Sequence, residues 1–298
     1  MNVHKRRLKV LRREVLAGLL ACLHVGTRAQ ETAVGEIGRF ELRPEGPFEG
    51  KSLPVYHYQA RTARLDARVL FVIHGEERDA RATCSNWIDA AEEYGLVLVA
   101  PEFGKADFPE ALFQMGGLAA PDENQWTFSL IESLFDHLRT RSHFSATGYY
   151  LFGHSAGAQF AHRLTLMARQ PRLLAVAAAN AGTYTMPFYG GLADPPFPYT
   201  LSRRLMPEER LAAAFQRPLT VILGEADTVT SGSAVPNSRI AQAQGEHRLA
   251  RGQRFYALAQ EQCHRLGVPL AWKLVTVPGV GHSSKATGRV AASLLFKN

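Results

Sequence analysis

Ser155 stands in the segment Gly153-His154-Ser155-Ala156-Gly157, after an apolar run at residues 149–152 and before a helix-forming stretch that reaches Met167. A serine hydroxyl is a poor nucleophile at neutral pH. It becomes a good one when a base within hydrogen-bond reach takes its proton and a third group fixes the tautomer of that base. Side chains of both kinds follow later in the chain, in the order serine, acid, histidine. Gly224-Glu225-Ala226-Asp227-Thr228 comes directly after the apolar run at 219–223; Asp227 is the expected acid and Glu225 the alternative. His282 lies in Val277-Pro278-Gly279-Val280-Gly281-His282-Ser283, after the last apolar run, where a glycine-containing loop can bring an imidazole over the serine as general base. Gly-x-Ser-x-Gly recurs by chance, so its weight comes from standing between a strand and a helix, the setting that lifts a serine above a sheet edge.

A serine attacking a carbonyl generates an oxyanion, which backbone N–H donors must meet. His74-Gly75 follows the run Val69-Leu70-Phe71-Val72-Ile73, so the N–H groups of Glu76 and Ala156 are the expected donors. Losing one donor of this kind typically costs about 2.7 to 4 kcal/mol of transition-state stabilisation. His74 is expected to brace the loop and His154 to pack beneath the turn. His57, His137, His143, His162, His247 and His264 fall in edge or helical settings that suit surface or hydrogen-bonded structural roles.

To hold serine, acid and histidine together, the chain needs strands that end at one edge. Apolar runs at 69–73, 96–99, 149–152, 174–178, 219–223 and 270–277 alternate with helical stretches at 87–91, 126–139, 155–167, 251–266 and 286–295. Unbroken apolar strands separated by helices indicate a parallel sheet covered on both faces, with right-handed crossovers setting the strands side by side. The predicted fold class is therefore α/β, a doubly wound and mostly parallel sheet, with extended segments at 39–42 and 53–59 forming an antiparallel edge. The alternation stops over residues 183–217, where Pro187, Pro195, Pro196 and Pro198 and the aromatics Tyr184, Phe188, Tyr189, Phe197 and Tyr199 precede a short helix near 208–215. Loops this long are usually functional or disordered, and the aromatics favour function. A small lid-like insertion is expected, with Tyr184, Phe188 and Phe197 as candidate pocket walls; a plain surface excursion is the alternative.

Hydrophobic residues at 46% and charged residues at 20% suit a globular protein with a sizeable core, and 298 residues can fold around one sheet. The net charge of +7 invites a nucleic-acid reading until it is mapped: seven of the 34 Lys and Arg, and only one of the 27 acids, fall within residues 1–29. The rest of the chain is nearly balanced, so no nucleic-acid partner is expected. Residues 1–29 combine a basic start, an apolar run at 15–25 and the exit Thr27-Arg28-Ala29, which predicts a signal peptide ahead of a single catalytic domain at 30–298. That run is too short for a hydrocarbon core of about 30 Å, so stable membrane insertion is not expected. Arg12-Arg13 favours the twin-arginine route and a periplasmic or secreted location. Ordinary secretion, a basic tail on a cytosolic enzyme and a lipidation box at Leu19-Leu20-Ala21-Cys22 are the alternatives. Without the leader, Cys84 and Cys263 remain; an even number permits a disulfide, but the predicted fold puts them on opposite faces of the sheet. Neither has a metal-ligand neighbour at short spacing, and no metal or other cofactor is expected.

Together the elbow, acid turn, histidine loop and His-Gly loop resemble the α/β-hydrolase superfamily from residue 53 onward. Within it, Phe71-Val72-Ile73-His74-Gly75, Val99-Ala100-Pro101-Glu102-Phe103 and Leu151-Phe152-Gly153-His154-Ser155-Ala156-Gly157 are similar to bacterial exported esterases related to polyhydroxybutyrate depolymerases and feruloyl esterases. The resemblance implies serine-dependent hydrolysis of carboxylic esters through an acyl-enzyme. Glu76-Glu77-Arg78 departs from the Cys-containing oxyanion segment often seen in those enzymes, and no appended polymer-binding domain is read, so a small or medium soluble ester is the expected substrate. An acyltransferase or peptidase using the same residues, and a catalytically silent binding protein that kept the fold, are the alternatives. Oligomeric state is not legible.

Overall fold

The computed structural model describes residues 33–142, 145–190, 197–232 and 235–297. The apolar runs form strands because side chains alternate across a sheet that is covered on both sides. In β3 (Val69–Ile73) the side chains of Val69, Phe71 and Ile73 enter one core, whereas Leu70 and Val72 enter the other. The same alternation runs through β4 (Val97–Pro101), β5 (Tyr149–His154), β6 (Leu173–Ala179) and β7 (Leu219–Gly224). With β1 (Ile37–Leu42), β2 (Leu53–Gln59) and β8 (Lys273–Val277), they make an eight-stranded sheet in the order β1-β2-β4-β3-β5-β6-β7-β8. The pairs β1–β2 and β2–β4 are antiparallel and all others parallel, which is the mostly parallel α/β sheet with an antiparallel edge that the sequence predicts.

Helices α1 (Ala80–Ser85), α2 (Ile88–Tyr94) and α8 (Ser284–Phe296) cover one face through Ala80, Cys84, Ala91, Ala291 and Phe296. Helices α3 (Phe128–Ser142), α4 (Ala156–Met167), α5 (Glu208–Phe215) and α7 (Arg248–Leu266) cover the other through Phe135, Leu164, Phe215 and Phe255. Cys84 and Cys263 are buried in the two different cores and are unbridged. No helix among the described residues is long and apolar enough to cross a membrane. The leader at 1–29 lies outside the described residues.

Several boundaries differ from those predicted, each for a local reason. The helical stretch around residue 87 is two helices, the first capped by Asp79, whose Oδ1 accepts the N–H of Ala82 at 2.8 Å. Helix α7 starts three residues early because His247 Nδ1 accepts the N–H of Ala250 at 3.2 Å, a capping role that lies outside the usual Ser, Thr, Asp and Asn set. Residues 270–272 do not join β8; Trp272 is buried instead, with its indole N–H on the Ala214 carbonyl. A further helix, α6 (Arg239–Gln244), begins at Ser238. Residues 102–127, long for a connection, are held by buried Phe103, Phe108 and Phe113, which pack on one another and on Phe160 of α4.

Candidate active site

Ser155 is the single residue between β5 and α4, at φ 55° and ψ −116°. A non-glycine residue rarely adopts this left-handed backbone, and it persists only where its surroundings impose it. The imposition is visible: the Ser155 N–H is tied to the Ala179 carbonyl at 2.9 Å, and every residue of α4 is buried. A Cβ on Gly157 would fall on the carbonyl oxygen of Ile73, and one on Gly153 on that of Gly157, so strand and helix approach to a distance only glycine allows. The Ser155 side chain makes no capping bond to its own helix, which leaves the hydroxyl available.

The acid turn and the histidine loop converge on the same edge. His282 Nδ1 lies 2.7 Å from Asp227 Oδ2. A carboxylate can only accept, so Nδ1 carries a proton, and in the neutral ring the lone pair is then on Nε2, the tautomer that can take a proton from serine. The ring of His154, the residue before Ser155, is 4.5 Å from that of His282, which places the imidazole over the elbow. The Asp227 side chain has no exposed surface, and its second oxygen accepts from Arg248 at 3.2 Å across a buried ion pair. Burial pushes its carboxyl upward, but the hydrogen bond and charge of His282, together with Arg248, outweigh this and hold it below the usual range. Glu225, the alternative acid, is exposed and accepts the Thr276 hydroxyl at 2.8 Å instead. Asn180, at φ 50°, ties the edge together: its side chain donates to the Gly281 carbonyl at 3.2 Å and accepts the Gly224 N–H at 2.8 Å.

The His74 loop runs beside the nucleophile, since a Cβ on Gly75 would lie 3.8 Å from Ser155 Cβ. His74 Nε2 accepts the Phe103 N–H at 2.9 Å, so Nδ1 carries the proton and donates to Gly75 O at 2.9 Å. This neutral ring is enclosed, and its pKa is pushed down to about 4, chiefly by burial. Arg78, at φ 60°, closes the loop by donating to the carbonyls of Phe103 and Phe108 over the Phe113 ring. Glu76 accepts from Gln114 Nε2 at 2.6 Å, which steadies the turn carrying its N–H. Ala156 opens α4, where the first N–H groups have no partner within the helix and point toward an incoming anion.

Of the candidate pocket residues, Tyr184 is wholly buried and stacked on Phe255 at 4.6 Å, a core position with no surface for a substrate in this conformation. Phe188 and Phe197 are half-buried and pack against the same core; residues 191–196 lie outside the described residues. Among the described residues no group of three or more His, Cys, Asp or Glu side chains could hold a metal ion. Sequence reasoning missed Asn180, Arg248, Arg78 and Arg163. An asparagine directly after an apolar strand is a weak signal for Asn180, since Asn tolerates positive φ; the arginines carry no local signal.

A doubly wound sheet with a strained elbow serine, an acid after the second strand that follows and a histidine after the last strand defines an α/β-hydrolase. No family model matches the chain, and none of the curated proteins does. Among solved structures, poly(aspartic acid) hydrolase-1 from Sphingomonas sp. KT-1 is 34% identical, the match covering 89% of this chain and 100% of that one, with a TM-score of 0.81. LpqC, a poly(3-hydroxybutyrate) depolymerase from Bordetella parapertussis, is 30% identical over 88% of this chain and 89% of that one, with a TM-score of 0.82. An S-formylglutathione hydrolase from Agrobacterium tumefaciens, at 18% identity over 89% of this chain and 95% of that one and a TM-score of 0.57, shares the fold. The chain belongs to the α/β-hydrolase family that includes the first two enzymes, and it is a hydrolase.

The buried neutral histidines make stability depend on pH. His74 falls from 6.5 to about 4 in the folded protein, so between those values the unfolded chain binds a proton that the native state does not. Stability is intact above about pH 6.5 and is lost as pH falls toward 4, with His74 contributing on the order of 3 kcal/mol. Urea midpoints taken from pH 7 to 4.5 should fall, and His74→Gln should flatten part of that slope. An identical slope in His74→Gln would show that the ring does not govern it.

Proposed function

We propose that the chain hydrolyses carboxylic esters through an acyl-enzyme on Ser155, with His282 as general base, Asp227 as its orienting acid, and the N–H groups of Glu76 and Ala156 as oxyanion donors. The observation that carries this reading is the 2.7 Å bond from His282 Nδ1 to buried Asp227, which in the neutral ring keeps the proton on Nδ1 and reserves Nε2 for the serine proton. Ser155 attacks the ester carbonyl while His282 takes its proton; the oxyanion collapses, the alcohol leaves with that proton, and the acyl group stays on Ser155. His282 then draws a proton from water, whose oxygen attacks the acyl carbonyl; the second oxyanion collapses, the bond to Ser155 Oγ breaks as His282 returns that proton to it, and the acid leaves. The polyester named for the relative at 30% identity supports an ester as the scissile bond. The relative at 34% identity is named for poly(aspartic acid), an amide-linked polymer, and this supports amide hydrolysis by the same residues as the second reading. Small or medium soluble esters, poly(3-hydroxybutyrate) oligomers and poly(aspartic acid) assayed side by side separate these readings.

Ser155→Ala and His282→Ala should each lower kcat by about 10⁶-fold, and the double variant should be scarcely worse than either, because the residues act as a unit. Asp227→Asn should cost about 10⁴-fold, since serine and imidazole remain but the tautomer is lost. A fluorophosphonate should label wild type and not Ser155→Ala. Full ester turnover by folded Ser155→Ala would end this mechanism.

We also propose Phe188 and Phe197, which are half-buried and pack against the core, as walls of the acyl site. An apolar pocket discriminates by about 1–3 kcal/mol per methylene, so Phe188→Ala or Phe197→Ala should change the ratio of rates along a para-nitrophenyl ester series by roughly tenfold or more. Unchanged ratios would make them plain surface packing.

Export to the periplasm or beyond is the remaining proposal, supported by Arg12-Arg13 ahead of a short apolar run. Replacing both with Lys should hold active precursor in the cytoplasm, as read by fractionation. Residues 1–29 retained on the mature protein in its host would exclude it.

A further inference from the structure

Asp227 presents one carboxylate oxygen to His282 and the other to Arg248, and the two bonds lie on opposite sides of a group with no exposed surface. A carboxylate so enclosed, facing only a neutral imidazole, lacks a compensating charge, and burying an uncompensated charge is strongly unfavourable. Arg248 supplies that charge from the first residue of α7, its own side chain only 4% exposed. The next residue, Leu249, reaches the Asp227 carbonyl through its backbone N–H at 3.4 Å, so the positive end of a 19-residue helix is docked on the acid turn.

Among the described residues, Arg251, Tyr184 and His154 also face this pair. Arg251, also on α7, spends its guanidinium on the carbonyls of Gly182, Pro236 and Gly245. Tyr184, on the loop after β6, feels the Asp227 charge and is kept protonated, its pKa raised chiefly by burial. His154, on the elbow, lies against the His282 ring and is kept neutral, pushed down to about 3, chiefly by burial. Among the described residues, Arg248 is the cation bonded to the carboxylate that orients the base.

Resting on the triad proposed above, we infer that Arg248 sets the acid limit of catalysis, by tempering the negative charge that Asp227 presents to His282. With the guanidinium in place, carboxylate and arginine nearly cancel, and the imidazole is drawn toward protonation only by the remainder. Without it the bare carboxylate favours the imidazolium, so the free enzyme loses its base at a higher pH. The sign is therefore fixed: removing the positive charge moves the acid limb of kcat/KM upward. Charges within about 4–6 Å shift titrations by 1–3 pH units, and acting through one intervening group Arg248 should account for about one. An arginine that merely held the turn in place would lower kcat at every pH and leave the limb where it was.

The test is the pH profile of kcat/KM for a para-nitrophenyl ester with the full chain, for wild type, Arg248→Met, Arg248→Gln and Arg248→Lys. Arg248→Gln keeps a donor for Asp227 without the charge, so it carries the comparison if Arg248→Met does not fold. The limb should rise by about one pH unit in Arg248→Met and Arg248→Gln and stay in place in Arg248→Lys, which retains the charge. A limb that stays with wild type in the uncharged variants overturns the role of Arg248. Ser155→Ala and His282→Ala, assayed alongside, keep the two readings apart: turnover by either defeats the triad itself, whereas two dead variants with an unmoved limb defeat only Arg248.

Discussion

A carboxylate removed from water must find a donor for each oxygen, and at Asp227 that requirement organises the edge of the sheet. Its side chain has no exposed surface, so the histidine loop must come to one oxygen and the start of α7 to the other. The backbone follows the same demand. Glu225 and Ala226 donate to the carbonyls of Val277 and Val280, and Asp227 itself closes the turn on Gly224. Removing one partner from such a buried pair leaves a bare charge at a cost of about 3–5 kcal/mol. Arg248 is the partner whose loss would leave that charge bare, whereas His282 satisfies the other oxygen as a hydrogen-bond donor.

The sheet spends part of its conformational tolerance at Ser155, whose neighbour His154 sets its ring 4.5 Å from that of His282. The left-handed backbone of a residue in this region costs on the order of 1–3 kcal/mol, which a packed scaffold can impose and a loop cannot. The scaffold here is β5 running directly into α4, both buried, with Gly153 and Gly157 letting the helix lie against the strand end. Asn180, at the end of the neighbouring strand, shares the positive φ and uses its side chain to join β7 to the histidine loop. Two strained residues on adjacent strands therefore link the elbow, the acid turn and the histidine loop.

The strands are legible in the sequence because burial on both faces erases polar alternation and leaves runs such as 69–73 without a polar residue. The elbow, the acid turn and the histidine loop are legible because each follows such a run directly. Asp227 and Glu225 leave the same strand end, and local sequence does not tell their surroundings apart; the fold buries Asp227 against His282 and turns Glu225 outward onto Thr276. Arg248 is illegible for a different reason. It lies 21 residues from its partner, in a helix whose cap is a histidine, and nothing local distinguishes it from a surface arginine. Tyr184 shows the converse: an aromatic in a proline-rich stretch suggests a pocket, but packing against Phe255 and His162 makes it core.

The same economy appears beneath the loops on the other side of the nucleophile. Arg163, two turns along α4 from Ser155, is fully buried, and burial draws its pKa down to about 10. It donates to the Gln114 carbonyl and to the hydroxyls of Thr183 and Thr185, while Gln114 in turn holds the Glu76 carboxylate. Through Gln114, one guanidinium therefore connects the turn at Glu76 to the first residues of the segment at 183–217. A fork of directional donors lets one buried side chain hold two loops at once, through a backbone carbonyl on one and through threonine hydroxyls on the other.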